Sequence, residues 1–284
     1  MGRNMNTLNE PEVARDDVLL ISDSDYSPEN VALVTGAASG IGRAVAIALA
    51  LNGLRVLAID VDEQGLRTTV GSADALGARV ETAGINLESL SEMESCVAMA
   101  ARLGQIRYLA NVAGIQHVDA IEDFPVDVYD RMQNIMVRAA FYLSKLCIPR
   151  IRAGADGCGV IANMCSIHAH IATKNKVAYN VAKFGLRGLT QSIAAEGAGK
   201  IRAFSVSVGY VRTPLALTQV PEQSRLLSLT PEQVVSDVML GRSRVKDMMR
   251  PIDVANLFVF GFSLHGRYLV GGDLLFDGGV VLTY

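Results

Sequence analysis

The sequence predicts an α/β protein built on one doubly wound parallel sheet, and three observations predict it. From residue 31 onward, short apolar runs alternate with stretches of helical spacing, the pattern of a parallel sheet covered by helices on both faces. The runs VALVT, GVIANMC and FSVSV are largely apolar at successive positions, as strands buried on two faces require. A glycine-rich turn, TGAASGIG, links the first run to the first helical stretch.

The elements follow in order. The apolar run 31–35 is the first strand, and after the glycine turn residues 41–52 have helical spacing. Residues 55–60 form the second strand, 63–76 a helix and 79–85 the third strand. Residues 89–102 read as a helix and 108–112 as the fourth strand. One long helix is predicted over 126–151, then a strand over 159–165. A helix over 177–197 precedes the strand 201–208, and a last strand lies near 274–276. Right-handed crossovers wind these units into a doubly wound sheet. An irregular insertion, 214–250, precedes the final helix, and its middle, 231–241, is helical and amphipathic. Hung over the C-terminal edge of such a sheet, it is a candidate lid. No internal repeat, low-complexity segment or second domain is visible, so residues 31–284 are expected to be one domain with a helical lid insertion.

Composition narrows the function. The chain of 284 residues is half hydrophobic and carries a net charge of -3. It has no basic excess for nucleic acid and no charge block for a tail. Cys96, Cys147, Cys158 and Cys165 lack CxxC spacing and read as reduced thiols of a cytoplasmic protein, with no metal site expected. No apolar run is long enough to cross a membrane. Residues 1–30 are rich in polar residues and lack the pattern of a signal peptide. They are expected to form a flexible N-terminal extension, with the apolar patch 18–21 able to dock on the body.

The turn TGAASGIG follows a strand and opens a helix, the context in which such a loop cradles a pyrophosphate. Gly36 and Gly40 let the backbone turn and approach closely, the helix N-terminus offers free N–H groups, and Gly42 lets the helix pack on the sheet. A glycine trio alone is equally a tight βα turn. Asp60 strengthens the ligand reading. It ends the second strand, 18 residues after Gly42, where a carboxylate accepts ribose hydroxyls and repels a 2′-phosphate. NAD is therefore expected over NADP, with Arg43 as the one nearby counter-signal.

Tyr179 and Lys183 are four apart on a predicted helix and share a face. Tyrosine, with a pKa of about 10, is a poor base at neutral pH. A lysine cation beside it favours the phenolate. Tyr179 then takes a proton from a substrate hydroxyl as hydride leaves. Ser166, at the end of the preceding strand, is placed to hold the substrate oxygen. A bare YxxxK is usually an exposed pair; the serine and the glycine loop in the same chain make the catalytic reading the stronger one.

TGAASGIG, NVAG at 111–114, Ser166 and YNVAK at 179–183 together resemble the short-chain dehydrogenase/reductase family over essentially residues 31–284. The resemblance implies a Rossmann-type domain and a cofactor lying along Gly36, Ser39, Gly40, Ile41, Gly42 and Asp60. Asn86 would approach the adenine, Asn111 and Ala113 the adenosine side, and Thr213 the nicotinamide carboxamide, with Tyr179 and Lys183 also touching the cofactor. NVAGIQHV, SIHAHIATKNKVAY and TPLALTQVPEQ are similar to the (R)-3-hydroxybutyrate dehydrogenase subfamily. That likeness implies a small carboxylate substrate held by Gln116, His168, Lys176 and Gln219, and a homotetramer built on the long helices and the last strand. One cation and three neutral donors suit a small carboxylate.

One position departs from the pattern. The family usually carries an asparagine in the long helix, supporting a water that connects the lysine to solvent, and here Met136 stands at that position. Asn134 lies about 200° away around an ideal helix and cannot substitute without a local bulge. Three readings stay open: turnover by another water path, a related sulfonate or phosphonate substrate, or an NAD-binding regulatory protein with weakened turnover.

Overall fold

The computed structural model describes residues 9–282. Seven parallel strands form one sheet in the order β3-β2-β1-β4-β5-β6-β7. They are β1 (Asn30–Thr35), β2 (Arg55–Asp60), β3 (Val80–Gly84), β4 (Gln105–Asn111), β5 (Gly159–Met164), β6 (Ile201–Val208) and β7 (Asp273–Phe276). The order reverses between β1 and β4, which opens a crevice at their C-terminal ends.

Period-two alternation feeds two separate cores. Ala32 and Val34 of β1 pack with α1 (Gly40–Leu51), α2 (Glu63–Ala75) and α10 (Pro251–Phe262). Val31 and Leu33 face α3 (Leu90–Leu103), α5 (Ala139–Arg152) and the C-terminal part of α6 (Val177–Glu196). The predicted doubly wound, single-domain α/β fold is what the chain adopts.

Three local features differ from the sequence expectations. The long helix is not continuous: α4 (Val126–Gln133) leads into a π-helical turn, Asn134–Arg138, before α5. Such a turn accommodates one extra residue in the helix. The described part of the N-terminal segment is held rather than free. Asp17 pairs with Arg250 at 2.6 Å, Leu19 N–H donates to Asn256 Oδ1 at 2.8 Å, and the buried Tyr26 hydroxyl donates to Val259 O. Its polar residues serve as partners for α10, which composition does not reveal; residues 1–8 lie outside the described residues. The insertion folds as α7 (Pro214–Leu217), α8 (Gln219–Leu227), α9 (Pro231–Gln233) and a π-helical turn, Val234–Met239. Buried Val220, Val234 and Met239 give it a small core of its own, joined by Tyr210.

Candidate active site

The C-terminal ends of β1, β4, β5 and β6 open onto a cavity of about 450 Å³. Its wall contains Gly36, Ser39, Gly40, Ile41, Gly42, Asp60, Asn86, Ala113, Gln116, Ser166, His168, Lys176, Tyr179, Lys183, Thr213 and Gln219, so nearly every residue predicted from sequence converges there. Asn111 does not. It is buried, and its amide donates to Asn163 Oδ1 at 2.9 Å, while Asn163 donates to Thr190 Oγ1. The expectation that Asn111 lies along the cofactor is corrected to a polar tie between β4, β5 and α6. A strand-end position looks the same in sequence whichever way its side chain turns.

The glycine loop is shaped by close backbone approach. Gly36 has φ +69°, and a Cβ there would stand 2.7 Å from Ala113 Cα. At Gly42 a Cβ would stand 2.0 Å from Gly36 O, so no side chain fits between loop and helix. Thr35 Oγ1 accepts the N–H groups of Val112 and Ala113, tying the β1 and β4 ends together. Asp60 Oδ2 accepts Ala38 N–H at 3.0 Å, which fixes the carboxylate at the edge of the loop with lone pairs to spare for ribose hydroxyls. Arg43 is already engaged: it donates to Ala38 O and to Thr69 Oγ1, and pairs with Glu10 at 3.5 Å. Glu10 also accepts Gly40 N–H at 2.6 Å, placing a carboxylate at the N-terminus of α1.

Around the tyrosine the site is dense. Ser166 caps a short helical turn after β5, and its hydroxyl lies 3.1 Å from His168 Nδ1. Burial pushes the Tyr179 phenol up to about 12, opposed by the nearby Ser166 hydroxyl. Sequence reasoning expected Lys183 to draw it down. Instead Lys183 Nζ sits 5.2 Å from the Tyr179 ring centroid and donates to Met164 O at 2.7 Å, and burial pulls Lys183 itself down to about 8. Desolvation outweighs the cation when the cation faces the ring. Despite the π-helical bulge, Met136 and this lysine both lie beside Gly114. Met136 Sδ and Lys183 Nζ stand 3.7 Å and 3.9 Å from the point where a Cβ on Gly114 would lie.

The predicted carboxylate ligands also meet. Gln219 Nε2, from α8, donates to Gln116 Oε1 at 3.2 Å, and Gln116 Nε2 is buried without a partner. Burial lowers the Lys176 pKa. His168 is held neutral, pulled down to about 4 by burial and then by the Lys176 and Lys183 cations. Both its ring nitrogens are taken, Nδ1 by Ser166 and Nε2 by Thr173 Oγ1 at 2.9 Å. Sequence reasoning singled out neither Thr173 nor Tyr210, which lines the cavity next to the insertion. Tyr210 stands three residues before Thr213, a neighbourhood that would have flagged it.

Comparison with known proteins places the chain among oxidoreductases. A family model described as short chain dehydrogenase matches residues 30–224. The chain is 34% identical to the D-beta-hydroxybutyrate dehydrogenase of Rhizobium meliloti, over 87% of this chain and 97% of that protein. It is 33% identical to the protein of the same name from Cupriavidus necator, over 88% and 97%. Among solved structures, a Beutenbergia cavernae protein with NADP bound at low occupancy, described as a candidate NAD(P)-dependent gluconate 5-dehydrogenase, superposes with a TM-score of 0.81. It is 26% identical and covers 92% of this chain and 100% of its own.

Proposed function

From the premise that the chain belongs to the short-chain dehydrogenase family, and is thus an oxidoreductase acting on CH–OH groups with a nicotinamide cofactor, we propose that it interconverts a small 3-hydroxy acid and its keto acid with NAD. The acid that fits best is (R)-3-hydroxybutyrate, giving acetoacetate. One observation carries this reading: Lys176 and the unpartnered Gln116 amide share a cavity with Tyr179 and Ser166. A cation and a bare N–H donor beside a proton-transfer pair suit an anionic group a short distance from the reacting carbon.

The close backbone approach of the glycine loop, the absence of room for a Cβ at Gly42 and the fixed Asp60 carboxylate suit the cofactor. Asp60 at the loop edge and the engagement of Arg43 favour an unphosphorylated ribose over a 2′-phosphate. When bound, the nicotinamide supplies the hydride chemistry. In oxidation Tyr179 takes the hydroxyl proton, Ser166 holds the reacting oxygen, Lys183 supplies positive charge beneath the ring, and Lys176, Gln116 and Gln219 hold the carboxylate. Gln219 comes from the insertion, so acid binding would draw that segment toward the body. His168 walls the same pocket, but its paired nitrogens leave it no free donor.

The test is NADH formation by the purified protein with the R and S acids, a hydroxyalkyl sulfonate and a hydroxyalkyl phosphonate. Turnover of the R acid is the expected result. Turnover of the sulfonate or phosphonate alone moves the substrate, and NADH binding without any turnover favours a regulatory role.

Two further outcomes follow from the same surfaces. Glu10→Gln removes an anion from the amide end of α1, where cofactor phosphates would compete with it, so NADH affinity is expected to tighten roughly threefold. Fluorescence titration of NADH measures this, and unchanged or weaker affinity contradicts it. Phe141, Val181 and Phe184 on α5 and α6, together with Leu275 and Phe276 of β7, are exposed apolar side chains. Faces of this kind call for a partner surface, and a homotetramer is the expected species in light scattering. A monomer at micromolar concentration would remove that assignment.

A further inference from the structure

We propose that a relay running from Tyr179 through the hydrogen-bonded series Ser166, His168 and Thr173 carries the reaction proton between the cavity and solvent, an assignment that rests on the dehydrogenase reading above. Oxidising an alcohol sends a hydride, with two electrons, to the nicotinamide and breaks the O–H bond, leaving one proton on Tyr179. Every turnover therefore needs a way out for one proton.

On the lysine side the way is poor. Lys183 is buried and spends a hydrogen on the Met164 carbonyl, and the neighbouring buried Met136 offers a thioether, which cannot donate and accepts only weakly. On the serine side hydrogen bonds lead outward from Ser166. Ser166 shares the cavity wall with Tyr179 and lies close enough to lower its pKa, Ser166 Oγ lies 3.1 Å from His168 Nδ1, and His168 Nε2 lies 2.9 Å from Thr173 Oγ1. Tyr179, Ser166 and His168 all line the cavity, whereas Thr173 is exposed to solvent. The chain thus spans from the reacting group to bulk water.

The protons balance along it. With the ring hydrogen on Nε2, Nδ1 accepts from Ser166, which accepts from Tyr179. Nε2–H is released to Thr173, whose own hydrogen passes to water. Each O–H or N–H broken is remade one link further on, and one proton leaves. The imidazole ends with its hydrogen on Nδ1 and returns to the starting tautomer by exchange with water once the product has left, Nδ1–H being lost to one water and Nε2 taking a hydrogen from another. In reduction the same steps run inward. The groups facing the imidazole are the Lys176 and Lys183 cations, Ser166, Thr173 and the edge of Tyr179, with ring centroids 5.4 Å apart. The cations disfavour a stored imidazolium and so favour passage over trapping.

The experiment uses full-length protein, NAD and (R)-3-hydroxybutyrate. His168→Ala is expected to lower kcat roughly a hundredfold, with KM for the acid and NADH affinity nearly unchanged. Added imidazole is expected to restore at least part of that loss. Thr173→Val, at an exposed position that should not disturb folding, is expected to lower kcat severalfold and to enlarge the solvent deuterium isotope effect. The proposal is overturned if His168→Ala raises KM and keeps kcat, which would make the histidine a carboxylate ligand. It is equally overturned if imidazole restores nothing, or if Thr173→Val leaves both kcat and the isotope effect unmoved. A wild-type protein that binds NADH but oxidises no hydroxy acid would instead remove the functional reading, and the relay with it.

Discussion

Tyr179→Phe is expected to cut NADH formation roughly a thousandfold while leaving NADH affinity nearly unchanged. The substitution removes one oxygen from a ring packed against Lys183 and His168, so the shape of the cavity survives. What is lost is the acceptor for the substrate proton. The phenol is pushed up to about 12 by burial, so at neutral pH it is protonated, and oxidation must begin by moving a proton off it. The oxidation rate should therefore rise with pH, and reduction, which needs the protonated phenol, should hold at neutral pH. Steady-state rates in both directions, paired with a fluorescence titration of NADH, measure the effect. A variant that keeps a tenth of wild-type kcat would take Tyr179 out of the proton step.

Lys176→Ala is expected to raise KM for the acid roughly a hundredfold, the cost of leaving an anion without its buried cationic partner. NADH affinity should hold, because the lysine lines the cavity near enough to His168 for its charge to act on that ring. pH adds a second signature. Burial lowers the Lys176 pKa below its ordinary value, and only the protonated amine attracts a carboxylate. Acid binding should therefore be strongest at neutral pH and weaken as pH rises through that lowered pKa, sooner than an exposed lysine would allow. KM measured against pH, in wild type and in Lys176→Arg, tests this. A KM that is flat with pH and indifferent to Lys176→Ala would move the carboxylate elsewhere.

Much of this was legible in residue order. The strand and helix alternation reported the sheet because burial on two faces demands continuous apolar runs. The glycine loop, Asp60, Ser166, Tyr179 and Lys183 were legible because their spacing is tied to one strand–turn–helix geometry. Gln116, Lys176 and Gln219 come from three separate segments and were found by resemblance alone; no local pattern links them.

By itself, the sequence determined the fold class, the place of the cavity and the residue types that surround it. These depend on periodicity and on chemistry carried by single side chains. Only the tertiary structure decided how those side chains pair. It turned Asn111 toward Asn163 and set Glu10 against the glycine loop. It kept Met136 and Lys183 both beside Gly114 in spite of the π-helical bulge, and occupied both nitrogens of His168. It also raised the Tyr179 pKa where a neighbouring lysine suggested a fall. Hydrogen-bond partners and desolvation are set by groups that meet only when distant segments pack together, and no reading of neighbours along the chain contains that information.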